Sequence, residues 1–367
     1  MARTRTIYAS QSLSVGPSPA TGQHYSNSGV PAGGTNLVSG LYRIQDCSFG
    51  FNIPRTPVNQ FGELAFIDQV NLEQPSVNLS FSYLQANLHN EKTMGFSLSS
   101  GGKVSFVSGI INKQTDGKNF FLEVAPEGTD SIGLANPSKT TIPVYAFGNG
   151  FITSYNAEGS VGSFPRVSVG VEALNLNFNS SGSGATIPAV FPDNGTAVTN
   201  WTYQLPVALS SPTHLSGISV LRPGDITLTL GYNEGGADTT DLKIQSYSLG
   251  LNLSRQQLLK LGSKYAFSRE LQFPIPVTLS VTADVGDFKS GSLIDIVNNN
   301  TDYNLAVDIK APGTTTTAVN YQILQANLDS QEFSNSIGPN SSVTLNFSSQ
   351  LGSSSQTNIG LFCSGNN

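Results

Sequence analysis

At 367 residues the chain has the length of two ordinary domains, and either half is long enough to bury a core of its own. Charged residues make up 11%, against ~25% in typical soluble domains, so the surface lacks the usual means of staying monomeric. The 24 acidic and 18 basic residues leave a net charge of −6 without a Lys/Arg cluster, which disfavours a phosphate-gripping surface, and no apolar run is long enough for a transmembrane helix.

The start, Met1-Ala2-Arg3-Thr4-Arg5-Thr6-Ile7, is basic but runs into Ser10, Ser12 and Ser14 rather than an apolar stretch, so it does not read as a signal peptide. Residues 8–36 are rich in Ser, Gly and Pro and read as part of an N-terminal arm spanning 1–36, either loose or laid on a neighbouring subunit. A first β unit is expected over 37–182. It opens with a strand in which Cys47, Phe49, Phe51 and Ile53 alternate with Ser48, Gly50 and Asn52. Apolar residues at Val58, Phe61 and Ala65, stepping by three and then four, predict one short helix. A second strand follows at Val77-Leu79-Phe81-Tyr83. The stretch Leu84 to Lys113 carries Phe96, Leu98, Val104, Phe106 and Val107 around Gly101-Gly102 and predicts a long hairpin, either on the same sandwich or reaching an adjacent subunit. Two strands around a turn, Gly148 to Tyr155 and Val161 to Val171, extend through Leu174, Leu176 and Phe178 to a Gly/Ser break at 180–184.

Residues 183–236 hold connecting strands near Trp201 to Val207 and Asp225 to Leu230, and they could belong to either side. A second β unit, 237–367, then repeats the first. Ile44-Gln45-Asp46-Cys47-Ser48-Phe49-Gly50-Phe51-Asn52-Ile53-Pro54-Arg55 returns without a gap as Ile244-Gln245-Ser246-Tyr247-Ser248-Leu249-Gly250-Leu251-Asn252-Leu253-Ser254-Arg255. The offset of 200 continues through Gly62/Gly262, Val77/Val277, Leu79/Leu279 and Ser80/Ser280. The expected helix recurs at Leu258, Leu261 and Tyr265. Ala125-Pro126 and Ala311-Pro312 rejoin at an offset of 186. Closing strands are read at Tyr321 to Leu324 and Val343 to Phe347.

Chemistry is not legible in this chain. His24, His89 and His214 stand apart from one another and from Cys47 and Cys363, so no metal-ligand spacing exists, and two cysteines make no disulfide framework. No nucleophile elbow, phosphate-cradling loop or His-Glu-X-X-His occurs. Of the first copy's acids Glu63, Asp68, Glu73 and Glu123, the first three become Ser263, Ser268 and Phe273 in the second, unlike a duplicated carboxylate site. The chain is therefore not expected to be an enzyme, and no catalytic, cofactor or metal site is assigned. Arg55 and Arg255 recur at the corner after the first strand. Each suits either a local ion pair or hydrogen bond to a loop carbonyl, or a contact with the acidic rim of a neighbouring subunit. Together with Phe96, Leu98, Val104 and Phe106 they are the candidate assembly contacts.

The opening Ile44 to Tyr83 and the closing Phe151-Ile152-Thr153-Ser154-Tyr155…Val161-Gly162-Ser163-Phe164-Pro165-Arg166-Val167-Ser168-Val169 resemble tail tube and virion tail proteins of tailed bacteriophages. The resemblance implies a β-sandwich or partial barrel with a short flanking helix; this chain departs from the simplest tube protein in carrying two such units, so an all-β chain of two tandem duplicated units is expected. It implies a virion tail component, assembled in the host cytoplasm, without a membrane or a cofactor. Its copies would stack as hexameric rings or as trimeric pseudo-hexameric rings, joined to other tail proteins, around double-stranded DNA that passes without specific binding. The alternatives are a tail hub, baseplate, head-decoration or fibre protein, or an extracellular carbohydrate-binding adhesin. The adhesin would want a secretion signal and aromatic platforms.

Overall fold

The computed structural model describes residues 7, 10–18, 38–99, 103–111, 117–132, 142–180, 183–191, 196–198, 202–206, 220–230, 243–263, 265–284, 302–334 and 341–365. In chain order, β1 (Gln11–Pro17), β2 (Ser39–Leu41) and β3 (Ile44–Asn52) precede a ribbon of β4 (Thr56–Val58) and β5 (Asp68–Val70), then β6 (Ser76–Leu84). Two short helices, α1 (His89–Met94) and α2 (Ser108–Ile111), lead to β7 (Lys118–Val124), β8 (Val144–Ser160), β9 (Arg166–Ala173) and β10 (Asn175–Asn179). Four short strands follow: β11 (Ser183–Thr186), β12 (Val190–Phe191), β13 (Thr196–Ala197) and β14 (Thr202–Gln204). A 3-10 turn at Pro223–Asp225 delivers β15 (Ile226–Leu230) and then β16 (Lys243–Asn252). A second ribbon, β17 (Arg255–Leu258) with β18 (Ser268–Leu271), precedes β19 (Ile275–Asp284), β20 (Tyr303–Lys310), β21 (Thr317–Ser334), β22 (Ser342–Leu351) and β23 (Gly360–Gly365).

The chain is predominantly β, and among the described residues fifteen strands join one hydrogen-bonded network. Its spine is a run of eight antiparallel strands, β3-β6-β9-β8-β16-β19-β22-β21. Period-two sequence explains these strands. In β9, Val167, Val169, Val171 and Ala173 are buried, whereas Arg166, Ser168, Gly170 and Glu172 keep contact with water. The two longest strands outrun the spine. The first part of β8 pairs with β7 and β10, and the first part of β21 pairs with β20 and β23. These flanking strands fold over the spine: Phe120 of β7 meets Phe81 of β6 at 6.0 Å between centroids, and Tyr303 of β20 meets Phe347 of β22 at 6.1 Å. One apolar core runs through both halves, from Leu13 to Cys363. A smaller one gathers Phe121, Ala146, Ile187, Val198, Tyr203 and Leu205 under β11–β14.

Strand pairings recur along the chain with their registers kept. Leu79↔Val171 of β6 and β9 has its counterpart in Leu279↔Phe347 of β19 and β22. The offset is 200 on the first strand and 176 on the second. With the same 176, the register shift between Ile152 and Ser154 in β8 returns between Leu328 and Ser330 in β21. Asn149 (φ 52°) and Gln325 (φ 51°) share that spacing and the left-handed backbone at the bend of each long strand. β1 pairs with β7 as β15 pairs with β20, and β10 with β8 as β23 with β21. The β7 and β20 registers differ by 185 residues, one fewer than the Ala-Pro spacing.

Four expectations are corrected. The short helix expected at Val58, Phe61 and Ala65, and again at Leu258, Leu261 and Tyr265, is in each case a two-stranded ribbon. Phe61 and Leu261 stand in full solvent at its tip, so the step of three and four does not mark a buried helical stripe. Gly62 (φ 91°) and Gly262 (φ 83°) make the turn, in a conformation that side chains with a Cβ resist. The long hairpin expected over 84–113 is instead α1, α2 and linking loop; Gly101-Gly102 lies outside the described residues. Part of the expected arm is β1, paired in its own chain with Leu13↔Leu122 and Val15↔Phe120. Finally, Ser183 and Gly184 of the expected Gly/Ser break begin β11.

Candidate interaction surface

The joint between the two halves of the spine is β16 on β8, with Ser248↔Glu158, Leu249↔Ala157 and Leu251↔Tyr155 in register. Covered on both edges, β16 buries Leu249 and Leu251 at 0% and 2% exposure. Gly159 opposite Tyr247 leaves room for its ring, because a Cβ there would stand 2.6 Å from it. The β17–β18 ribbon then lies on the first half. Gln74 donates through Nε2 to Gln257 (2.6 Å) and accepts from the Ala266 amide (2.8 Å). Arg269 is buried and reaches Glu172 at 3.0 Å, while the Arg255 and Arg269 guanidinium carbons lie 4.9 and 5.5 Å from the Phe151 ring centre. Burial, and next the neighbouring Arg269, lowers Arg255 to about 10.

Deeper in the same joint a polar chain crosses from one half to the other. Tyr83 and Tyr155 donate to one Glu91 oxygen at 2.7 and 3.1 Å, and Gln85 Nε2 donates to Tyr321 at 2.5 Å. The Tyr155 and Tyr321 hydroxyls are 2.6 Å apart. Since Tyr155 spends its proton on Glu91, Tyr321 is the donor between them. Burial pushes Glu91 up to about 7 against the opposing pull of both tyrosines.

The outer edges of the spine differ from the joint. Among the described residues β3 is an end strand that pairs with β6 alone; Phe51 is 60% exposed, and Phe49 keeps 36% exposure with its ring 5.2 Å from those of Tyr145 and Phe147. Among the described residues the 327–334 stretch of β21 ends the other side, and Phe333 there is 45% exposed. In the segment that follows β3, Ile53, Phe61, Leu64, Phe66, Ile67 and Leu72 are also exposed.

The sequence-selected residues fall in three places. Arg55 is exposed just before the outer ribbon, whereas its repeat mate Arg255 is half-buried and donates to the Arg269 carbonyl at 3.3 Å, a contact of the local kind. Phe96 and Phe106 are corrected as assembly contacts. They are buried in their own chain, stacked at 4.4 Å and set edge-on to Tyr155 at 5.2 and 5.3 Å. Leu98 packs half-buried against the same core, and Val104 alone of the four is exposed, at 40%. Sequence reading passed over Phe333, Glu91 and Glu172. Phe333 follows the polar run Asp329-Ser330-Gln331-Glu332, out of phase with Ala326 and Leu328, and Glu91 and Glu172 carry no pattern of their own either.

Among the described residues no group of His, Cys, Asp and Glu could hold a metal. Cys47 and Cys363 are free thiols, and burial followed by Asp46 pushes Cys47 up to about 12, far from a reactive thiolate. His89 begins α1 beside the Tyr42 ring at 5.1 Å, whereas His24 and His214 lie outside the described residues. Glu63, Asp68 and Glu73 are exposed; Glu123 is buried on Ser131 at 3.0 Å. A groove of about 500 Å³ over the β8–β16 joint has Glu158 as the one carboxylate among its lining residues, short of the pair that glycoside hydrolysis uses. Among the described residues no helix is long and apolar enough to cross a membrane. The chain matches no family model and no curated protein.

Proposed function

We propose that the chain is a virion structural protein, a tail tube subunit whose copies close into rings that stack as the DNA-conducting channel of a tailed bacteriophage. The observation that carries this reading is the whole-unit repetition of strand pairings, joined edge to edge in one spine that stops at exposed apolar strands. On this reading the chain holds two copies of one β-sandwich unit. β15 leads the second as β1 leads the first, and β11–β14 are an insertion on the first. A building block already joined to itself once needs no active site to act: its work is to add further copies by strand pairing. The low charge and the net −6 suit a surface covered by copies of itself and a wall that does not hold DNA.

Negative-stain electron microscopy of the purified full chain at rising concentration tests the reading. Hollow tubes or stacked rings are the expected result, and their rotational symmetry separates three chains from six. A chain that stays monomeric overturns the tube assignment and favours a hub or an adhesin; glycan binding by that monomer would single out the adhesin.

A further inference from the structure

We propose that β3 of one copy pairs antiparallel with the 327–334 stretch of β21 in the next copy, in the register that β16 holds on β8 within a single chain. The inference rests on the self-assembly part of the function above, not on its bacteriophage part. β3 is the counterpart of β16 by the 200-residue offset, which their pairings to β6 and β19 share. The 327–334 stretch is the counterpart of 151–158 by the 176-residue offset, which their pairings to β22 and β9 share, register shift included. Both sides of the internal joint are thus present again, one at each end of the spine.

Transferring the register turns Ser248↔Glu158 into Ser48↔Ser334, Leu249↔Ala157 into Phe49↔Phe333, and Gly250↔Asn156 into Gly50↔Glu332. The two exposed phenylalanines thereby meet directly, although nothing in the transfer selected them. The change in burial points the same way. At the two apolar positions where β16 is 0% and 2% exposed, β3 is 36% and 60% exposed, and β16 has β8 paired along the edge where β3, among the described residues, has no strand. A long exposed apolar edge of this kind is an aggregation hazard unless a strand of fixed register covers it. The two edges differ from each other, so the contact is head-to-tail, and such contacts continue until a ring closes. The ribbon differs between the joints: Gln69 stands where Arg269 does, and Ser348 where Glu172 does, so the ion pair of the internal joint has no equivalent between copies.

Cysteine crosslinking of the full chain tests the register. In a Cys47→Ser background, Ser48→Cys and Ser334→Cys are made as separate variants, mixed and oxidised. Directly opposed residues of an antiparallel pair come close enough for a disulfide. The expected result is a crosslinked dimer in the mixture and its loss in either variant alone. Crosslinking of Ser48→Cys with itself would mean a two-fold contact and overturn the proposal. So would tubes or rings that form without the mixed crosslink, which leaves the tube reading standing. Crosslinked rings that never stack into tubes would keep the pairing and remove the conduit. A chain that is monomeric at every concentration removes both. Should the variants fold poorly, hydrogen exchange of the unaltered chain reads the same contact: amides of 46–52 and 330–334 slow on assembly if it forms, and unchanged exchange there in an assembled sample overturns it.

Discussion

Glu91 sits where a carboxylate is expensive. Two tyrosine hydroxyls hold one oxygen, yet its other oxygen lacks a hydrogen-bond partner, and burial lifts the group from 4.5 to about 7. A folded value above the unfolded one means the folded chain binds the proton more tightly. Its contribution is then full below about pH 4.5 and is lost as pH rises through 7. The shift corresponds to roughly 3 kcal/mol. Glu91→Gln should flatten the fall in melting temperature across that window, as measured by thermal denaturation at stepped pH. Glu172 presents the opposite case. Replacing it by Gln leaves the buried Arg269 without its ion pair, and Arg269 already has two nitrogens lacking partners. The expected loss is roughly 2–3 kcal/mol in denaturant unfolding, limited by the partial exposure of Glu172. An unchanged midpoint would show that Phe151 alone supports the guanidinium.

At the scale of elements, the long strands β8 and β21 bend so that each serves two sheets, and the bend falls on Asn149 and Gln325 in left-handed backbone. The two residues meet that strain differently. Asn149 spends its side chain there: its Oδ1 accepts from the Val190 amide at 2.7 Å. Gln325→Gly should therefore relieve strain and raise the unfolding midpoint, whereas Asn149→Gly should lower it by about 1 kcal/mol through the lost hydrogen bond. Equal effects of the two glycines would contradict the distinction. The ribbons teach a related lesson. Their apolar residues at helical spacing face solvent, and the glycine turn with positive φ decides the conformation.

For the whole molecule the consequence lies in the end strands. Phe51→Asp and Phe333→Asp change side chains that are 60% and 45% exposed in the single chain. Phe51→Asp should leave monomer unfolding unaltered, and the unfolding midpoint of Phe333→Asp is measured beside it so that any cost to the monomer is separated from the cost to assembly. Each forgoes the ~1.5–3 kcal/mol of a buried phenylalanine at every contact, so the concentration for half-assembly should rise about tenfold to a hundredfold in sedimentation. Normal assembly of both variants would remove the end strands from the contact.

The sequence by itself determined the β character and the repeat. Period-two alternation in Cys47–Ile53 and Tyr247–Leu253 is a local property of strands with one wet face, and identity at an offset of 200 needs no coordinates. It also carried the opening strands β3, β6, β16 and β19 close to their ends. Only the tertiary structure decided what each strand meets. Leu249 and Phe49 are alike in sequence, but one is buried and the other exposed, since burial depends on whether a strand lies alongside, and that neighbour is more than eighty residues away in the chain. The same reason hid the buried Phe96–Phe106 pair, which alternation alone could not distinguish from a projecting hairpin, and the Glu91 chain, whose members Tyr83, Tyr155 and Tyr321 come from three distant strands. Periodicity reports the face a residue turns; pairing across the fold settles whether anything covers it.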